Sequence, residues 1–176
     1  MIANNVFKII FVFFILISTT KANQSIATIN LDRIFQNSND FTIFLENLKL
    51  IKNDYDTKFK FKESELIKQK KIISDSENIL NQEEINKLIA DYTIEVNNFS
   101  TEVKNYNEKV DLIIESNKDI ILANILEILK EISIKNQYDI ILSEDNYFIA
   151  SDNIDISEIV IKKLNSISTE LKTNLE

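Results

Sequence analysis

The chain contains no His, no Cys, no Gly, no Pro and no Trp. Each absence removes a class of function. Without Gly there is no phosphate-cradling loop of the Walker or Rossmann type, because those loops need backbone free of Cβ close to the phosphate. Without His and Cys there is no zinc cluster, no Ser-His or Cys-His nucleophile and no disulfide. A carboxylate-only active site is compatible with this composition, but nothing in the pattern calls for it, so the expectation is a protein that is not an enzyme. Without Pro, helices run long and unkinked. Turns must then be made by Asn, Asp and Ser, which tolerate turn geometry better than other residues.

What is present is a long apolar period. From Ile85 to Ile113 the residues Ile85, Ile89, Tyr92, Val96, Phe99, Val103, Tyr106, Val110 and Ile113 recur at alternating steps of four and three. A period of 3.5 keeps one stripe of a helix against a partner helix. A second seam lies upstream: Phe41, Leu45, Leu48, Lys52, Tyr55, Phe59, Lys62, Leu66, Gln69, Ile73, Ser76 and Leu80. Two seams joined by a short polar stretch imply an antiparallel helical hairpin. Each arm of about 40 residues would reach roughly 60 Å. Asn81-Gln-Glu-Glu84 supplies a helix start, with Asn81 as N-cap and Glu84 reaching back, so the tip falls near 80–82.

The two arms differ. Beyond Phe59 the upstream seam turns polar at Lys62, Gln69 and Ser76, which predicts looser packing toward the tip. The same half carries Lys58, Lys60, Lys62, Lys68, Lys70 and Lys71 against only Glu63 and Glu65, a local charge of +4. Ordinary solvated helix surface with Lys-Glu pairs accounts for such a run, and a basic patch is the functional alternative. Beyond Ile113 apolar residues from Ile120 to Ile134 cover more than one face, so this end enters a body or a subunit interface.

The ends of the chain supply that body. Residues 1–22 read as a signal peptide: Lys8, an apolar run from Ile9 to Ile17, then Thr20 and Ala22 as small residues before a cleavage point after Ala22. An uncleaved membrane anchor is the rival reading. The absent lipidation Cys argues against a lipoprotein. Removing residues 1–22 takes away Lys8 and Lys21 and no acids, leaving 18 basic against 28 acidic residues, a net charge of −10. An exported, acidic protein is a poor match for nucleic acid. Ser25 to Asn30 reads as a short strand and Leu31 to Gln36 as a short helix with Leu31, Ile34 and Phe35 inward. Ser38, Asn39 or Asp40 can cap the next helix. Arg33, the only Arg, reads as solvated or paired with a carboxylate. Tyr138 to Ser143 and Tyr147 to Ala150 read as two further strands, and Asp155 or Ser157 as the cap of a last helix through Ile159, Val160 and Leu164. Three short strands do not stand alone in water, so their edges call for other copies.

At this point the chain resembles the Skp (OmpH-like) family of periplasmic chaperones. The match rests on a signal peptide followed at once by Ile26-Ala-Thr-Ile-Asn-Leu-Asp-Arg-Ile-Phe35, on the hairpin with its tip at Asn81-Gln-Glu-Glu84, on Tyr138-Asp-Ile-Ile-Leu142 and Tyr147-Phe-Ile-Ala150, and on the ending Asp155-Ile-Ser-Glu-Ile-Val-Ile-Lys-Lys-Leu-Asn165. The resemblance implies a fold that is mainly α with a small β body, a long antiparallel hairpin attached to short strands that form an oligomeric β-barrel-like core. On this reading residues 23–39 and 121–176 form the oligomerisation body and 40–120 the arm. Ile26, Ile29, Leu31, Ile34, Phe35, Ile140, Leu142 and Phe148 are its body residues. It also implies a homotrimer in the periplasm that holds unfolded outer-membrane β-barrel proteins, with no cofactor and no ATP. Well-known members are basic, whereas this chain is acidic, so membrane-surface or lipopolysaccharide contact is left open. Once the seams are assigned, Ile43, Leu50, Phe61, Ile67, Ile94 and Leu112 are left over, and these are the expected client contacts. A coiled-coil spacer or a membrane-tethered envelope protein is the alternative.

Overall fold

The computed structural model describes residues 25–174. The signal-peptide reading, residues 1–22, lies outside them. β1 (Ile26–Ile29) and α1 (Leu31–Gln36) lead into α2 (Asn39–Ser76), which turns back as α3 (Gln82–Asn136). β2 (Ile140–Ser143) and α4 (Ser157–Leu164) complete the body. β1 and β2 are parallel, in the register Ile26 to Ile140 through Ile29 to Ser143. Parallel neighbours need a long crossover. Here the crossover is the whole hairpin, so the two-stranded sheet ties the base of one arm to the base of the other.

Local chemistry sets the helix ends. The Asn30 side chain accepts the Arg33 N–H at 2.7 Å and starts α1. Ser38, of the three residues expected as caps, starts α2 by accepting the Phe41 N–H at 3.4 Å. The capping box at the tip is complete: the Glu84 N–H reaches Asn81 Oδ1 at 3.0 Å, and the Asn81 N–H reaches Glu84 Oε2 at 3.1 Å. With no Gly available, the left-handed residue that closes α3 is Gln137, at φ 57°. A residue with a Cβ pays about 1–2 kcal/mol for that conformation. The turn is held by the Tyr138 N–H on the Ser133 carbonyl and by the Ser133 hydroxyl on the Tyr138 carbonyl, at 3.1 and 2.9 Å.

α2 spans 38 residues and α3 spans 55, about 57 and 82 Å long. The surplus of α3 enters the body, where Ile121, Ile125, Ile128 and Ile132 pack against Ile34, Val160 and Leu164 in one core. α3 passes residues 120 and 121 without a break, so arm and body share one continuous helix. Mid-arm packing is aromatic. Tyr55 stacks on Tyr106 at 4.2 Å between ring centroids, and Phe59 meets Tyr106 and Phe99 edge-on at 5.4 and 5.8 Å.

Several expectations need correction. At the base of α2 the seam runs through Phe44, which is buried, while Leu45 is exposed. Lys52 also faces solvent, with Ile51 half-buried beside it. In the seam of α3 Ile89 is exposed. Tyr147 to Ala150 form no strand: two 3-10 turns, Glu144–Asn146 and Asp152–Ile154, bracket that stretch and carry it past the sheet. The described residues thus hold two strands, not three. α4 has Ile156 as its N-cap with no side-chain cap bond. Asp155 instead accepts the Ser157 N–H and hydroxyl at 2.8 and 2.6 Å.

Candidate functional site

The side chains of α2 that its seam does not use form a pattern. Ile43, Leu50, Phe61 and Ile72 are exposed, and their spacings are seven, eleven and eleven residues. In a helix of 3.6 residues per turn those steps return the side-chain direction to within about 20°. The four residues therefore make a straight apolar stripe, about 120° around α2 from the seam. Ile67 lies on the other flank of the helix, and Ile94 and Leu112 share one face of α3, eighteen residues or five turns apart. All six expected contact residues are between 55% and 70% exposed in the single chain. Ile72 belongs with them and was missed, although its eleven-residue step from Phe61 was legible.

The six lysines do not form one patch. Lys58 pairs with Asp54 at 3.3 Å and lies 5.1 Å from the centre of the Tyr55 ring. Lys62 turns into the seam and pairs with Glu95 at 3.4 Å, and the Gln69 amide donates to the same Glu95 oxygen at 3.1 Å. The Gln69 amide first, and then Lys62, hold the Glu95 carboxyl below the usual carboxylate range. Glu95 was not read from the sequence, because it flanks the seam rather than sitting in it. Lys60 and Lys71 share a face with Ile67, seven and four residues away, while Lys68 falls within the apolar stripe. At mid-arm the Tyr106 hydroxyl is buried without a hydrogen-bond partner among the described residues, and burial, with Asp56 and Tyr55 adding to it, pushes its phenol up.

The body residues sort into two groups. Ile29 and Ile34 are covered within the single chain, so their burial needs no second copy. Leu31, Phe35 and Leu142 are half-buried. Ile26 and its register partner Ile140 stay exposed, and Phe148 and Ile149 are almost wholly so. β1 is flanked by β2 and by the bridge from Thr28 to Asp155, whereas no strand among the described residues pairs with the outer edge of β2. Arg33 closes the other side, bridging Asp155 at 3.1 Å and also pairing with Glu158. Burial opposes ionisation of Asp155, yet the Ser157 hydroxyl and N–H and the Arg33 guanidinium outweigh it and hold the carboxyl below its usual range.

Among the described residues no group of three or more acidic side chains is set to hold a metal ion, and no helix is long and apolar enough to cross a membrane. What the arrangement offers is apolar contact along the arm and open hydrogen-bonding edge at the body. The chain belongs to the family of outer membrane proteins described as OmpH-like, whose model matches residues 25–164. Its fold is similar to the crystal structure of a protein from Caulobacter crescentus CB15 described as an OmpH-like outer membrane chaperone. The TM-score is 0.71 at 12% identity, covering 82% of this chain and 86% of that one. No curated protein matches the sequence.

Proposed function

We propose that the protein is an ATP-independent periplasmic holdase chaperone that encloses unfolded outer-membrane β-barrel proteins and prevents their aggregation before membrane insertion. The observation that carries this reading is the set of large apolar side chains on the arms, Ile43, Leu50, Phe61, Ile67, Ile94 and Leu112, which the hairpin leaves in solvent. A helix pair that served only as a spacer has no use for them, because exposed apolar surface of this extent favours self-association. Family membership and the fold shared with a protein described as an outer membrane chaperone support the same reading.

The working unit is a homotrimer joined at the body, where Ile26, Ile140, Phe148 and the outer edge of β2 await partners. Three arms then surround a space in which a client meets many weak contacts, so that enclosure competes with aggregation without chemistry. Release needs no energy source, only a stronger competitor. Residues 1–22 act as the signal peptide for export to the periplasm and are removed after Ala22.

Replacing Phe61, Ile67 and Ile94 together by Ser tests the contact surface. All three are solvent-exposed, so the oligomer mass should not change. Retention of a urea-diluted outer-membrane barrel protein in the supernatant should fall. Undiminished retention by an intact oligomer would remove the arm surface from the account.

A further inference from the structure

The family match ends at Leu164, but the described chain continues to Asn174 and packs back onto the arm. Asn165 first anchors the turn, accepting the Asn39 N–H and donating to the Asn37 carbonyl, both at 2.9 Å. The Thr169 N–H then binds Asp40 Oδ2 at 2.7 Å, while the Asn124 amide donates to the Thr169 hydroxyl at 2.9 Å. Three residues later the Lys172 N–H donates to Asn117 Oδ1 at 2.9 Å, and Asn117 Nδ2 donates to the Lys172 carbonyl at 2.7 Å. Asn117 and Asn124 are two turns apart on α3, about 10 Å. Three residues of extended chain also span about 10 Å. The segment is therefore extended and runs antiparallel to α3, away from the body.

Asn117 is wholly buried, and its remaining amide hydrogen is fixed on the Ile113 carbonyl at 2.9 Å. A buried amide is costly unless its partners are in place. This one is aimed at the main-chain N–H and C=O of a single residue, whatever side chain that residue carries. Of the four hydrogen bonds that seat the tail beyond Asn165, three go to backbone atoms and only the one on the Thr169 hydroxyl reads a side chain. Leu171 is the apolar anchor, half-buried against the core. Its walls, Asp40, Ile113, Asn117 and Asn124, fall inside the family match, and its occupant falls outside it.

We propose that the groove over Asn117 is a binding site for extended, unfolded polypeptide, and that residues 168–173 are its built-in occupant, a competitor that a client segment displaces. The proposal rests on the holdase reading and adds a backbone-reading site at the arm base to the apolar contacts along the arm. Unfolded outer-membrane proteins suit it, because their strands alternate apolar or aromatic residues with polar ones along a backbone that takes extended conformation. A tethered tail competes at high effective concentration, so the groove stays closed to weak binders.

The test uses the full chain and a fluorescein-labelled, unstructured ten-residue peptide that alternates aromatic residues with Thr. Lys172→Pro removes the N–H that Asn117 accepts, and Leu171→Asp removes the anchor; neither residue contributes to the wall. The double variant should bind the peptide about tenfold more tightly than the parent in an anisotropy titration, as expected when a tethered competitor is lifted. Adding Asn117→Leu should abolish that gain. Should Asn117→Leu unfold the protein, a peptide N-methylated along its backbone carries the same test with Asn117 intact, and it should fail to bind. Equal affinities for parent and double variant overturn the proposal, as does a gain that survives either Asn117→Leu or N-methylation. Client holding by the parent is scored separately. A parent that cannot hold client breaks the chaperone reading, whereas one that holds client while the double variant gains nothing breaks the groove alone.

Discussion

Phe44→Ala and Leu45→Ala should differ sharply, although the residues are neighbours and both are large and apolar. Phe44 is 2% exposed, with its ring 5.7 Å from that of Phe41 at the base of the arm. Truncating a buried Phe removes its transfer free energy and leaves a cavity, at a cost of about 3–5 kcal/mol. Leu45 is 42% exposed. Full burial of a Leu side chain is worth about 1.5–3 kcal/mol, so partial burial, less what Ala retains, leaves about 1 kcal/mol. The assay is urea unfolding followed by far-UV circular dichroism. Both variants and the parent are run at one protein concentration, because the stability of an oligomer depends on it. The midpoints should shift with unchanged slope, which marks a stability effect rather than a changed unfolded state. Equal losses, or a costlier Leu45→Ala, would mean that α2 meets α3 in the strict 3.5 register and that the base of the arm has been misassigned.

Two further outcomes follow from the helix end at the tip and the ion pair in the body. Asn81→Ala removes one bond of the capping box outright and should cost about 1 kcal/mol. Hydrogen exchange should accelerate at the Glu84 and Ile85 amides and stay unchanged at Ile121; a uniform change would contradict a local cap. Asp155 has its carboxyl pKa lowered in the folded state. Its stabilisation is therefore complete above the ordinary Asp value of about 3.9 and is lost as pH falls through the lower folded value. Asp155→Asn should lower the melting temperature at pH 7 and flatten its decline below about pH 4; an equally steep decline would show that other carboxylates set the acid limb.

The hairpin was legible because one physical rule governs it along its whole length. In α3 the seam from Tyr92 to Ile113 packs as its spacing requires, and the tip was marked by Asn81 and Glu84. The register failed where α2 meets the body. There Phe41 also packs against Phe35 of α1, at 5.4 Å between ring centroids, so α2 answers to two neighbours and Phe44 replaces Leu45. Tyr147 to Ala150 have strand-like composition, but strand formation needs a paired neighbour, and the chain leaves the sheet through a 3-10 turn. The exposure of Ile43, Leu50 and Phe61 could be found by subtraction once a seam was drawn. The tail could not be found that way. Ser168 to Thr173 has no period, and Asn117 looks like one more polar residue on a helix until a backbone 55 residues distant meets it.

The central claim is that copies of this chain assemble and enclose an unfolded client. The most direct measurement is the light-scattering mass of residues 23–176, alone and after addition of a urea-diluted outer-membrane β-barrel protein. The account predicts a trimer that shifts to a discrete, soluble complex with the client. A trimer that leaves the client to precipitate would contradict the chaperone function, and a monomer or open-ended polymer would contradict the assembly on which it depends.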